Sequence, residues 1–242
     1  MKKLVILLAA IMANVAEANF MATPGTTNFE STGKSAINRI IVENLSNKEV
    51  VIENTLFNRI QVGNEDSGPA EKNPNKYFKI YPKIVKIPPR QKKAVILKWV
   101  GPSSVKETQA FYLKVAEKEI KKGKEKKGTR ISVMIEYYLN LLVNPKDQIK
   151  TAEIVSSTYL KKENKFKLTV KNTGNVLFKA SESGVFLVKT KPDGSKETKS
   201  QFEKQELKGF LGKSILPGKT KEIFLTAPKG FEGDSTVVKF EE

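Results

Sequence analysis

The stretch 131-ISVMIEYYLNLLVNP-145 decides how this chain is read. Ile131, Val133, Ile135, Tyr137, Leu139 and Leu141 alternate with Ser132, Met134, Glu136, Tyr138 and Asn140, so one face of the strand is wholly apolar or aromatic. Asn144-Pro145 closes the run, because proline cannot donate to an interior ladder. Just upstream, 117-EKEIKKGKEKKGTR-130 is packed with lysine and almost free of apolar side chains. An apolar strand face beside an exposed loop is either ordinary sheet core or a strand available to another protein.

Working outward, short β-rich runs recur on both sides with turn residues between them, and helical periodicity is nearly absent. The runs before position 131 are 37–43, 49–56, 77–80, 84–87, 94–99 and 110–115. Those after Pro145 are 152–160, 165–170, 176–179, 185–189, 202–207, 222–226 and 237–240. Asn172-Thr173-Gly174-Asn175, Pro192-Asp193-Gly194 and Pro217-Gly218 supply the breaks. The pattern predicts an all-β chain of two immunoglobulin-like sandwiches of about 125 and 95 residues, joined by a short hinge at 144–148. Residues 64–75, NEDSGPAEKNPN, read as a polar surface loop. In the strands, Phe111 and Tyr112 are expected to pack inward, and Leu139, Leu141 and Val143 to hold the first sandwich together.

The ends and the composition exclude most enzyme classes. Residues 1–18 read as a secretory signal: Lys2-Lys3, an apolar run from Leu4 to Met12, and Ala16-Glu17-Ala18 as a small-x-small cleavage site. The run falls short of the roughly 20 apolar residues a spanning helix needs, and no integral membrane segment is expected. The chain has no cysteine, which removes disulfides, thiol catalysis and a lipoprotein anchor; it has no histidine, which removes Ser-His-Asp and His-metal constellations. No motif places a carboxylate pair or a reactive lysine, so no enzymatic activity, metal or cofactor is expected. The formal charge is +17, and removal of Lys2, Lys3 and Glu17 would leave +16. The lysines are spread over strands and turns without interleaved aromatics, so nucleic acid is not expected. The charge is expected to serve solvated faces and solubility, or acidic protein partners or anionic surfaces.

In order and spacing the strand runs resemble the periplasmic pilus (fimbrial) assembly chaperones, of a divergent clade serving non-P-type fimbriae. NFMATP at 19–24 resembles the family's opening after the signal, and 79-KIYPKIVKIPPRQKKAVIL-97 its proline-flanked hydrophobic stretch and following strand. AFYLKV at 110–115 is similar to the aromatic-rich next strand, and 131–145 to the last strand of the first domain. In the second half, KLTVKNTGN at 167–175 and SILPGKTKEIFL at 214–225 resemble the later strands. The resemblance implies a signal peptide at 1–18, a strand-lending immunoglobulin-like domain at 19–145 and a second such domain at 146–242, the two set at an angle. It implies a periplasmic protein whose partners are pilin subunits and an outer-membrane usher, with no cofactor or nucleotide. A free donor edge would also allow self-association. The competing expectation is a secreted structural or adhesive protein of the same fold without a client.

The resemblance further implies the site. Ile131, Val133 and Ile135 match the family's donor residues, which fill the groove of a subunit lacking its last strand, and Tyr137 continues their face towards the inter-domain cleft. The family grips the subunit's C-terminal carboxylate with two basic residues in that cleft. Counting from Asn44 and from Pro145 puts Asn28 and Asn140 at those positions, and neither is charged. Asparagine still donates to a carboxylate; Arg39, Arg130 and Lys98 are the other candidates for the anchor. Ile96 stands where the family has an arginine between the domains. The lysine loop at 118–127 is expected either to be a solvated hairpin tip or to steer acidic subunits to the strand beside it.

Overall fold

A computed structural model describes residues 19–63, 65–72, 76–118, 134–182, 184–202 and 206–240. Its first ten strands are β1 (Phe20–Thr23), β2 (Thr26–Glu30), β3 (Ile37–Asn44), β4 (Val50–Val62), β5 (Glu65–Lys72), β6 (Phe78–Tyr81), β7 (Ile84–Ile87), β8 (Lys92–Trp99), β9 (Gln109–Glu117) and β10 (Glu136–Asn144). They form a sandwich of a sheet ordered β1-β3-β8-β6 and a sheet ordered β2-β10-β9-β4-β5, with β7 also on β4. The N-terminal segment serves both sheets: β1 runs antiparallel to β3, and after Pro24-Gly25 the chain crosses over so that β2 runs parallel to β10. Alternating residues turn inward along each strand, and Ile40, Ile52, Leu97, Leu113, Leu141 and Val143 are fully buried in one core.

The second sandwich contains β11 (Ala152–Leu160), β12 (Lys165–Asn172), β13 (Phe178–Lys179), β14 (Val185–Thr190), β15 (Lys196–Lys199), β16 (Ser214–Ile215), β17 (Thr220–Thr226) and β18 (Thr236–Phe240). Its sheets are β11-β12-β17, β13-β16 and β15-β14-β18. A separate core built on Phe166, Leu168, Val170, Leu187, Phe210, Ile223 and Leu225 lies between them.

One device recurs in both cores. Asn44, at the end of β3, is completely buried; its Nδ2 donates to the carbonyls of Lys48, Ile87 and Pro88, and its Oδ1 accepts from the Ser46 amide. Asn172, at the end of β12, donates to the carbonyls of Val176 and Ile215, each at 2.8 Å, and accepts from the Gly174 amide. Each side chain satisfies backbone groups where a strand gives way to a turn, which buried polar groups require. Asn172→Ala would leave two buried carbonyls and one amide without this partner. It is expected to cost about 2–4 kcal/mol in urea unfolding of the whole chain; a loss below about 0.5 kcal/mol would show that water replaces the amide.

Three sequence expectations are corrected. The polar segment 64–75 contains β5, which pairs with β4 from Phe57 to Val62 through register shifts. The ladder offered by β4 outweighs the poor strand propensity of Gly and Pro there. Of the run expected as a strand at 202–207, Glu206 and Leu207 instead begin a 3₁₀ turn, Glu206–Phe210, that buries Phe210, and 203–205 lie outside the described residues. Gly209 permits it, because a Cβ there would lie 1.8 Å from the Phe224 carbonyl oxygen. The run expected at 176–179 is ordered as a strand only over Phe178–Lys179.

Candidate functional site

Strand β10 is held on one side along its length and on the other side only in part. It pairs antiparallel with β9 from Glu136 to Val143, whereas β2 joins its opposite edge only from Asn140 onward. Among the described residues, no strand ladders with that edge over 136–139. The phase of the alternation is fixed by the core: Leu139, Leu141 and Val143 are buried, as the sequence predicts. Ile135 is half-buried on the same face. Tyr137, also half-buried, packs into the first core; its ring meets Phe20 edge-on at 5.2 Å and its hydroxyl donates to the Phe20 carbonyl at 3.0 Å. Tyr137 therefore closes the end of this sandwich rather than pointing into the cleft. Ile131, Val133 and Arg130, like the lysine loop from 119 onward, lie outside the described residues.

The opposite face of β10 carries Glu136, Tyr138, Asn140 and Leu142. Lys114 on β9 bonds to Glu136, and the Tyr138 hydroxyl donates to the same carboxylate at 3.0 Å. The Lys114 hydrogen bond holds the Glu136 carboxyl below the usual carboxylate range and raises the Lys114 ammonium. Tyr138 stands edge-on to Tyr112 at 6.2 Å and tilted against Phe57 at 6.5 Å. This corrects the inward expectation for Tyr112: it follows Phe111 in a strand, so only one of the two faces the core, and Phe111 takes that place.

Next along this face is Arg59, the residue that sequence reading missed. It lies on β4 and is only 6% exposed. Its guanidinium sits 5.5 Å from the Tyr112 ring centre, donates from Nη1 to Asn140 Oδ1 at 3.0 Å, and donates from Nη2 to Ser214 Oγ at 2.6 Å. Two positions on, Gln61 is 3% exposed; its amide donates to the Thr220 carbonyl at 2.9 Å and accepts from the Leu216 amide at 3.0 Å. At the end of β4 the usual preference is thus inverted: Arg59 and Gln61 are buried while Ile60 and Val62 are exposed. The cause is that β4 outruns its own sandwich, so its outer face is covered by the second one. The only sequence signal was that alternation continues through FNRIQV beyond Leu56, where the expected strand ended.

Thr108 adds a second tie between the sandwiches. Its backbone amide donates to the Asn175 carbonyl, its hydroxyl donates to Asn144 Oδ1, and that hydroxyl accepts from the Leu177 amide. The junction described here is therefore closed by uncharged hydrogen bonds and Arg59. Ile96 takes no part in it, being exposed opposite Arg39 and Tyr81 on the outer face of the four-stranded sheet.

Between the sandwiches lies a cavity of about 160 Å³ lined by Thr26, Arg59, Asn140, Leu142, Leu177, Lys179, Ser181, Gly212, Lys213 and Ser214. It is below the roughly 300 Å³ of a typical drug-sized ligand site, and three of its lining residues are cationic while none is acidic. Of the anchor candidates read from sequence, the structure brings Asn140 to this cavity. Asn28 is exposed, pairs in register with Leu142 and through its Oδ1 accepts a hydrogen bond from Asn144 Nδ2 at 3.3 Å; Thr26 takes the place opposite Asn140. Arg39 and Lys98 are exposed on the four-stranded sheet and are not brought to the cleft, because β3 and β8 belong to the layer on the far side of the core.

No family model and no curated protein matches the chain. Solved structures do resemble it. A class 5 fimbriae chaperone, CfaA, superposes with a TM-score of 0.54 at 16% identity, over 93% of this chain and 99% of that one. The YadV chaperone gives 0.55 at 14% identity, over 92% of each chain. A structure of the Salmonella enterica SafA pilin in complex with the SafB chaperone gives 0.52 at 11% identity, over 94% and 90%. Across nearly its whole described length, this chain has the two-sandwich fold of the fimbrial chaperones.

Proposed function

We propose that the protein is a periplasmic assembly chaperone of the chaperone–usher type. Residues 1–18 are its signal peptide, 19–145 its strand-lending domain and 146–242 its second domain. The open edge of β10 before Asn140 carries this reading, because it leads directly into the apolar alternation at 131–135. An extended strand offered at such an edge gives a pilin subunit backbone hydrogen bonds, and Ile131, Val133 and Ile135 fill alternate pockets of its open groove. Covering that groove keeps the subunit from aggregating through its unpaired edges. At an outer-membrane usher, the next subunit's N-terminal extension would replace the lent strand, driven by subunit folding and strand exchange.

Arg59 then takes the part for which the resemblance indicated Asn28 and Asn140. A guanidinium held by Asn140 and Ser214 presents a planar fork at the cavity wall, suited to the subunit's terminal carboxylate. The test is soluble recovery of a pilin subunit expressed in the periplasm with and without this protein. The expected result is a 1:1 complex that protects the subunit from degradation; subunit yield that does not depend on the protein would overturn the reading.

A further inference from the structure

Arg39, Ile96 and Lys98, which the cleft does not use, lie together on the outer face of the sheet β1-β3-β8-β6. The ladder register sets Arg39, Ile96 and Tyr81 side by side in one row, and Ile37, Lys98 and Lys79 in the next. Tyr81 is 75% exposed, and Ile37 and Ile96 are 47% and 46% exposed. The solvent face of an antiparallel sheet is ordinarily polar, so these rows leave apolar surface uncovered. The charge on this face has one sign. Among its outward positions the single acidic side chain is Glu43, which pairs with Lys92 at 3.0 Å. The side chains of Arg39, Lys79 and Lys98 make no hydrogen bond or ion pair among the described residues. Lys79 stands directly opposite Lys98, an arrangement that costs stability unless an anion lies over it.

A second copy of the chain does not fit this face, because a two-fold contact would set these cations against themselves. The layout also disfavours a protein partner. Protein interfaces gather apolar groups at the centre and keep charge to the rim, whereas here cationic and apolar side chains alternate about 5 Å apart. The headgroup level of an anionic bilayer accepts that mixture: ammonium and guanidinium groups stay at the phosphates, and aliphatic and tyrosine side chains reach just below them. We infer that the outer face of this sheet binds peripherally to an anionic phospholipid surface, with Arg39, Lys79 and Lys98 on lipid phosphates and Ile37, Ile96 and Tyr81 at the boundary with the acyl chains. Such binding needs no pilin client. Strand β10 belongs to the other sheet, across the core, so contact at this face leaves the open edge of β10 free.

The test is flotation of the chain from residue 19, which omits the apolar run at 4–12 that would itself enter a bilayer. The vesicles are phosphatidylcholine alone or phosphatidylcholine with about one third phosphatidylglycerol, at about 0.1 M salt. Each cation at such a surface is worth about fivefold, so the three together should favour the anionic vesicles by about a hundredfold. Lys79→Gln with Lys98→Gln should lower that binding about twentyfold, and Lys98→Arg, which keeps the charge, should match the parent. Ile96→Ser should lower it about threefold without changing charge. Lys161→Gln with Lys162→Gln, exposed in the turn after β11, carries the same net charge as the Lys79/Lys98 pair of changes and should stay within about twofold of the parent. Equal binding to neutral vesicles, or a loss at Lys161 and Lys162 as large as at Lys79 and Lys98, would overturn the site. Ile96→Ser binding like the parent would also overturn it; if poly-glutamate is then retained through Lys79 and Lys98, the face belongs to an acidic protein partner.

Discussion

Replacing Val133 and Ile135 together with aspartate should abolish recovery of a co-expressed pilin while leaving the protein itself folded and soluble. Burying each of these side chains in a subunit groove contributes about 1.5–3 kcal/mol. Losing both removes about 3–6 kcal/mol, a factor of roughly 10² to 10⁴ in affinity. The aspartates add the cost of placing charge in apolar pockets, so the effect is expected at the upper end of that range. The protein's own stability should change little. Ile135 lies only half-buried beyond Tyr137, which already closes the first core against Phe20, and an edge position of this kind costs about 1 kcal/mol or less. Two added negative charges on a chain near +16 leave it strongly basic, so solubility does not confound the result. The measurement is subunit yield in periplasmic extract beside a thermal melt of the variant. Unchanged yield would remove strand lending as the mechanism.

Arg59→Met should weaken pilin binding by about 10²-fold through loss of charge-assisted hydrogen bonds to the terminal carboxylate, each worth about 1.5–3 kcal/mol. Methionine keeps most of the buried volume against Tyr112. The abandoned partners, Asn140 Oδ1 and Ser214 Oγ, line the cavity and can take up water there. Arg59→Lys should fall between the parent and the methionine variant, because an ammonium keeps the charge and loses the fork. The decisive readout is a double-mutant cycle with a subunit whose C-terminus is extended by a few residues, which displaces the carboxylate. If Arg59 holds that carboxylate, the two changes together cost no more than either alone. Fully additive losses would show that Arg59 acts on the junction between the sandwiches and not on the ligand.

How much of this was legible beforehand depended on the range of the force that decides it. The strands at 37–43, 84–87, 94–99 and 152–160 were readable because a half-buried strand imposes a period of two on its own residues. The strands β1 and β2 were not, because TTNFE and FMAT are short and owe their place to ladders with β3 and β10. The same reason explains β5, whose Gly68 and Pro69 argue for a loop until β4 supplies a partner. Conversely, Glu206 and Leu207 read locally as the end of a strand, but they begin a 3₁₀ turn whose Gly209 lies close against the Phe224 carbonyl.

The sequence by itself determined the fold class, the absence of thiol and imidazole chemistry, and the face of the 131–143 run that is apolar, since each of these follows from composition or nearest-neighbour alternation. Only the tertiary structure decided that Tyr137 packs into the first core, because its partner there is Phe20 from a strand more than a hundred residues away. Tertiary structure alone also revealed Arg59 as a buried cation between the sandwiches, beside Asn140. An arginine in a strand is ordinarily solvated, and this one is buried because a second sandwich covers the end of β4, a contact that no local pattern encodes.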